Sequence, residues 1–303
     1  MQPDTRLTVR LIAPGRGPSD LQIEALPVPA PEAGDVLVKV RAASITRDEL
    51  TWPTDRLPAI PSYEVTGVVA AVGAGVATVA VGDEVFGLTP FDRDGVAAEF
   101  ATVPAAALAP KPTTLGDIES AALPMPGLTA WQGLFTHGNL AEGERVLIHG
   151  AAGGVGHIAA QLALSRGTNV VGTARGDGVG IVRKLGVAEV IDTSATTDLV
   201  GAIGSVDVVF DTVGGELLAQ APSLLAPGGR LIAVAEEPPE GVEGTFFIVE
   251  PDVDQLVALA GLAERGVLTT AIDATYPLAD AVAAFERVAS SSKRGKVVLE
   301  VSA

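Results

Sequence analysis

From Thr5 to about Pro110 apolar and polar positions alternate in short runs cut by Pro, Gly and Asp: TRLTVRLI, DVLVKVRAAS, EVTGVVAAVG and DEVFGLTP. Such runs of roughly four to eight residues predict the strands of a compact, barrel-like β-rich domain. Corners fall at Gly73 to Gly75 and at Gly82-Asp83. Past Pro112 the period changes. Residues 117–123 and 128–136 read as short helices, RVLIHG as a buried strand, residues 154–165 as a helix stopped by Gly167, and NVVGTA as the next strand. VDVVFDTV, GRLIAVA and TFFIV follow as further strands. This alternation predicts a parallel sheet with helices on both faces. Asp252, placed before Gln255 at capping distance, starts a helix running to about Arg265 with Gly266 beyond its end. A last helix over 278–289 and the strand KVVLEV either extend the parallel sheet or return to the first domain.

The segment RVLIHGAAGGVGHIAAQLAL sets Gly150, Gly153, Gly154 and Gly156 between an apolar strand and an amphipathic helix. A strand-to-helix turn without bulky side chains lets backbone N–H groups and the helix N-terminus approach a pyrophosphate. Ala152, Gly153, Gly154, Val155 and Gly156 are therefore candidate contacts for a nicotinamide dinucleotide. A site built for NAD carries an acidic residue about 20 positions on, bonded to the ribose 2′-hydroxyl. Here the second strand ends Gly172-Thr173-Ala174-Arg175 with no carboxylate. The Arg175 guanidinium, with the Thr173 hydroxyl as a second donor, suits the 2′-phosphate of NADPH better than NADH.

Composition narrows the classes. At 303 residues, with 48% apolar positions, 35 Gly and 21 Pro, the chain suits a globular protein of two domains. A net charge of −17 without a Lys/Arg cluster argues against nucleic acid. With no Cys, disulfides, thiolate zinc sites and a cysteine nucleophile are excluded. The absence of a leader-like N-terminus and of an apolar run of about 18 residues leads us to expect a cytoplasmic protein without a membrane partner. No G-x-S-x-G elbow supports serine hydrolysis.

Taken together, GDVLVKVRAASI, EVTGVVAAVGAGV followed by VGDEVFG, LPMPGLTAW, HGAAGGVG, LGVAEVID, DTVGG, APGGRLI and GKVVLEV resemble the zinc-free, quinone-oxidoreductase-like branch of the medium-chain dehydrogenases and reductases, which includes ζ-crystallin. The resemblance implies an α/β fold: a GroES-like β-rich catalytic domain (residues 1–124), a Rossmann domain with a doubly wound parallel sheet that binds NADPH (125–265), and a return of 266–303 to the catalytic domain. It also implies a homodimer with the cofactor in the cleft between domains. Thr129 looks like a contact to the nicotinamide end, Val213 and Gly214 like ribose and nicotinamide contacts, Val234 and Ala235 like the close of the next strand, and Phe246 to Ile248, with Phe247 central, like the carboxamide site. Zinc-dependent relatives hold their metal where Thr46 and Tyr63 stand here, and neither is a good zinc ligand at neutral pH.

Without a Lewis acid, alcohol dehydrogenation is disfavoured and conjugated acceptors remain. The expected activity is NADPH-dependent reduction of quinones or α,β-unsaturated carbonyl compounds, with an enoyl or polyketide-intermediate reductase as the alternative. A rival of another class is a non-catalytic NADPH-binding structural or redox-sensing protein. Tyr63 is the candidate proton donor or substrate contact, and Thr46 and Phe91 the candidate cleft residues. Arg93 either recognises an acidic substrate or is a solvated cation beside two Asp. His149 and His157 read as packing or helix-terminal residues and Tyr276 as structural.

Overall fold

The computed structural model describes residues 3–13, 17–52, 55–290 and 292–302. The chain divides into two compact units, one of Met1–Met125 with Pro251–Ala303 and one of Pro126–Glu250.

The second unit is built on six parallel strands: β8 (Arg145–His149), β9 (Asn169–Ala174), β10 (Glu189–Asp192), β11 (Val206–Asp211), β12 (Leu225–Ala233) and β13 (Thr245–Phe246). Helices α3 (Gly154–Ser165), α4 (Gly178–Lys184), α5 (Leu199–Ile203) and α6 (Gly215–Gln220) join them. The strands lie in the order β10-β9-β8-β11-β12-β13. Numbered within the unit this is 3-2-1-4-5-6, the doubly wound order of dinucleotide-binding sheets. Val146, Leu147 and Ile148 are buried, as a strand covered on both faces requires. Because the chain winds away on opposite sides from β8 and β11, the loops after these two strands flank the switch point where ligands bind such sheets. TFFIV pairs over two residues only, since Thr245 and Phe246 face Ile232 and Ala233, where β12 ends.

The first unit holds β1 (Thr5–Leu11), β2 (Leu21–Pro27), β3 (Asp35–Ile45), β4 (Glu64–Val72), β5 (Glu84–Leu88), β6 (Phe100–Pro104), β7 (Leu108–Pro110), β14 (Ile272–Pro277) and β15 (Lys296–Glu300). β1 and β2 form a ribbon, and the other strands run β14-β15-β3-β4-β5-β7 with β6 on β3. The eleven-residue β3 serves two partners along one edge: Asp35–Lys39 pair with β6 and Ala42–Ile45 with β15. That register resolves the C-terminal stretch, which returns to this sheet. Inward Val36, Val38, Val40, Val65, Val69 and Leu299 meet Phe285 of α8 (Ala281–Ala289) in one core.

Helix α7 (Val253–Glu264) starts where the sequence placed it, with Asp252 Oδ1 accepting from the Gln255 N–H at 2.9 Å. It packs on β7, so the crossing to the first unit falls at Pro251, ahead of residue 266. The segments read as two helices are α1 (Asp117–Ala121) and α2 (Pro124–Trp131), and α2 runs on as a π-helical turn over Gln132–His137. Among the described residues no helix is long and apolar enough to cross a membrane.

Candidate active site

In the second unit, β8 passes into α3 through Gly150, whose φ of +75° is a conformation that side chains rarely adopt. The Gly150 N–H donates to Thr173 Oγ1 at 3.1 Å and the Ala151 N–H to the Thr173 carbonyl at 2.9 Å, so β9 sets the turn's shape. A Cβ on Gly156 would run into the Gly150 carbonyl and stand 2.7 Å from Ala151 Cα. Glycine there is what lets α3 lie against the strand end. Gly153 is the N-cap of α3 and supplies no side-chain cap. The N–H groups of Gly154, Val155 and Gly156 belong to the first turn, which the helix itself leaves unsatisfied. Ala152 and Gly156 are buried, whereas Gly153, Gly154 and Val155 are partly exposed. N–H groups without a side-chain cap at the positive end of a helix fit a pyrophosphate.

The remaining candidates of this unit gather along the same C-terminal edge of the sheet. Arg175 is exposed just past β9; its carbonyl accepts from the Gly178 N–H at 3.0 Å, and its guanidinium makes no hydrogen bond or ion pair among the described residues. Thr173 does not join it: the side chain is 1% exposed, and its hydroxyl lies 3.2 Å from His149 Nδ1 while accepting from Gly150. It holds the turn and is not open to a phosphate. After β11, Val213 is 44% exposed and Gly214 turns the chain at φ +79°. After β12, Val234 is partly buried, its N–H on the Asp211 carbonyl at 3.1 Å, and Ala235 is exposed. After β13, Ile248 is 68% exposed and Phe246 also reaches solvent, but the Phe247 ring is buried against His137, centroids 4.4 Å apart. Thr129 lies in α2 and is buried.

The sequence reading missed Asp211. Its Oδ1 accepts from Val213 N at 3.1 Å and Gly214 N at 2.7 Å, and burial holds its carboxyl above the ordinary range. The visible signal was an Asp at a strand end before Thr-Val-Gly-Gly, the pattern of an Asx turn. His149 is buried, and desolvation pushes its imidazole down to about 4, so it is neutral at pH 7.

In the first unit Tyr63 is fully buried beneath two rings, Trp52 at 5.7 Å and Phe91 at 5.2 Å, which meet each other edge-on at 5.2 Å. Arg56 donates to the Tyr63 hydroxyl at 3.3 Å and to the Phe91 carbonyl. Burial holds the phenol above its usual range, and its cover of rings keeps it from acting as a direct donor. Trp52 and Phe91, both partly exposed, present the surface that was expected of the tyrosine. Arg93 is clamped on Asp35 by contacts of 3.1 and 2.6 Å, so it is a structural cation.

Thr46 is partly exposed and tied into a buried polar network that sequence reasoning did not find. Its Oγ1 accepts from Lys296 Nζ at 3.1 Å and donates to Met125 Sδ at 3.2 Å. Lys296 is ion-paired with Glu64 Oε2, and Glu64 Oε1 accepts from Met125 N at 3.2 Å. Glu49 is fully buried and takes the N–H groups of Thr46 and Ser62 at 2.9 Å each, yet desolvation pushes its carboxyl up to about 8. Glu64 and Lys296 each open an apolar strand, where a charge reads as a solvated end. Among the described residues no group of three or more His, Asp or Glu is placed to hold a metal.

A family model described as "Alcohol dehydrogenase GroES-like domain" matches residues 32–113, and one described as "Zinc-binding dehydrogenase" matches residues 185–299. Quinone oxidoreductase of Rattus norvegicus is 33% identical, over 93% of this chain and 94% of its own length. The spectinabilin polyketide synthase system protein NorB of Streptomyces orinoci is 34% identical over 89% of this chain and 14% of that longer protein. The solved quinone oxidoreductase of Coxiella burnetii is 28% identical and aligns over 98% of this chain and all of that one, with a TM-score of 0.92. Fold and site together define a medium-chain dehydrogenase/reductase, an oxidoreductase that works with a nicotinamide cofactor. Within that superfamily the chain belongs to the quinone oxidoreductase-like branch.

Proposed function

We propose that the protein reduces quinones or α,β-unsaturated carbonyl compounds with NADPH and without zinc. The observation that carries the cofactor assignment is Arg175, an exposed guanidinium without a partner among the described residues at the end of β9, where an NAD site would carry a carboxylate. When bound, the reduced dinucleotide supplies a hydride to an activated carbon of the acceptor. The chain's part is to bind and orient. The first turn of α3, through Gly153, Gly154, Val155 and Gly156 with Ala152 beneath, holds the pyrophosphate. Val213, Gly214 and Val234, with the backbone of Phe247 and Ile248, line the strand ends for the ribose and nicotinamide. Thr129 is assigned to the nicotinamide end on the family resemblance alone.

The donor set disfavours zinc: Thr46 and Tyr63 stand where relatives use Cys and His, and Tyr63 is fully buried. Activity is therefore expected to survive dialysis against a chelator, and a loss that zinc restores would contradict this part. The whole reading is tested by following NADPH absorbance at about 340 nm, the reduced nicotinamide band, with a panel of quinones and enones. Cofactor binding without turnover across the panel would favour a structural or sensing role. The NorB likeness supports a second reading, an enoyl or polyketide-intermediate reductase, for which thioester acceptors outrun simple quinones in the same assay. A homodimer, implied by the resemblance, is tested by sedimentation equilibrium.

A further inference from the structure

We propose that Arg47 and Lys293 form a binding site for a phosphate group, built from residues of the first unit alone. Arg47 follows β3 and Lys293 lies between α8 and β15, so two cations from opposite ends of the chain meet. One oxygen joins them: the Ser290 carbonyl accepts from Arg47 Nη2 at 3.2 Å and from the Lys293 N–H at 3.3 Å. The site does not depend on which acceptor the protein reduces.

Neither cation has an ion-pair partner among the described residues. Lys293 Nζ donates to the Gly295 carbonyl at 2.8 Å and Arg47 to Ser290, and their other donors have no protein partner among those residues. An ammonium carries three donors and a guanidinium five, so most of this capacity is open to a ligand. The charges that face Lys293 are Lys296 and Arg47, which repel it, and Asp273 and Glu64, which attract it. Both acids are already engaged. Asp273 is clamped by Arg287 at 2.6 and 2.8 Å and accepts from the Arg294 N–H at 2.7 Å. Glu64 is ion-paired with Lys296 and accepts from the Met125 N–H.

With no carboxylate left for it, the half-buried Lys293 ammonium is destabilised: desolvation, then Lys296 and Arg47, push it down to about 8. A phosphate dianion matches the two positive charges, and its several acceptor oxygens serve a guanidinium fork and an ammonium together. Such an anion favours the charged ammonium, so binding at about pH 8 takes up a proton.

The test titrates the full chain with inorganic phosphate, glycerol phosphate and sulfate in a calorimeter at low ionic strength, with NADPH present to fill the phosphate seats of the cofactor. Lys293→Met and Arg47→Met are each expected to weaken phosphate binding at least about 10-fold, the loss of one hydrogen bond between charged groups. Lys293→Arg keeps the affinity. Sulfate does not titrate in this range, so its heat of binding at about pH 8 follows the ionisation enthalpy of the buffer in the unaltered protein and not in Lys293→Arg. Glycerol phosphate binding at least as well as the free ion identifies the ligand as an esterified phosphate, and a preference for inorganic phosphate identifies it as the free ion; either upholds the site. If Lys293→Met does not fold, Arg47→Glu, at an exposed side chain, carries the same expected loss. An unaltered protein that binds none of the three anions overturns the proposal, as does binding that both Met variants retain or that takes up no proton.

Discussion

Arg175 and Glu49 show how much one side chain decides. A charge-assisted hydrogen bond to a phosphate contributes about 1.5–3 kcal/mol, so Arg175→Ala should weaken NADPH about 10- to 100-fold in a fluorescence titration. NADH, lacking the 2′-phosphate, should bind the variant as before, and equal losses for both would remove Arg175 from that role. Glu49 makes stability depend on pH. Its folded-state value of about 8 lies above its ordinary 4.5, so the native state binds the proton more tightly. The resulting stabilisation is complete below pH 4.5 and is lost as pH rises through 8. Denaturant unfolding across that window should show the decline, and Glu49→Gln, which cannot ionise, should remove this part of the slope. Arg175 was legible in the sequence because a strand end is a local feature. The burial of Tyr63 was not, since its cover comes from residues 52 and 91. Nor was the engagement of Thr173, whose partners sit on the neighbouring strand.

At the scale of elements, the strand-turn-helix from β8 to α3 is the part that local rules specify most fully. The glycines marked the turn together with the apolar strand before them and the helix after them, and the geometry explains each requirement: positive φ at Gly150, no cap at Gly153, no side chain at Gly156. Gly156→Ala forces a Cβ onto the Gly150 carbonyl and against Ala151 Cα, backbone that cannot swing aside. Overpacking of this kind costs about 1–3 kcal/mol. A lower thermal midpoint together with weaker cofactor binding is expected, because α3 must shift and carries its uncapped N–H groups with it. Unchanged binding would mean that the turn is not the pyrophosphate seat. Asp252 was equally legible, since an N-cap is a matter of a few residues. β13 was not, because its length is set by where its neighbour β12 stops.

For the whole molecule, the decisive contact joins residues 232 positions apart. Lys296 and Glu64 are both nearly dry, and removing one partner of a buried pair leaves an uncompensated charge that costs about 3–5 kcal/mol. Lys296→Met should lose stability on that scale in a denaturant titration, whereas a loss under about 1 kcal/mol would indicate a solvated, weakly coupled pair. The same pairing of β15 with β3 draws the C-terminal stretch into the first sheet, the alternative that periodicity left open. By itself the sequence determined the alternation of strands and helices, the glycine-rich strand-to-helix turn, the lack of thiolate ligands and the basic residue at the end of β9, because each depends on residues close together in the chain or on composition. Only the tertiary structure decided that Tyr63 is covered, that Thr173 faces inward and that Thr46 stands on a buried Lys296–Glu64 pair. Burial and charge pairing are properties of neighbours in space, and these neighbours come from distant parts of the chain.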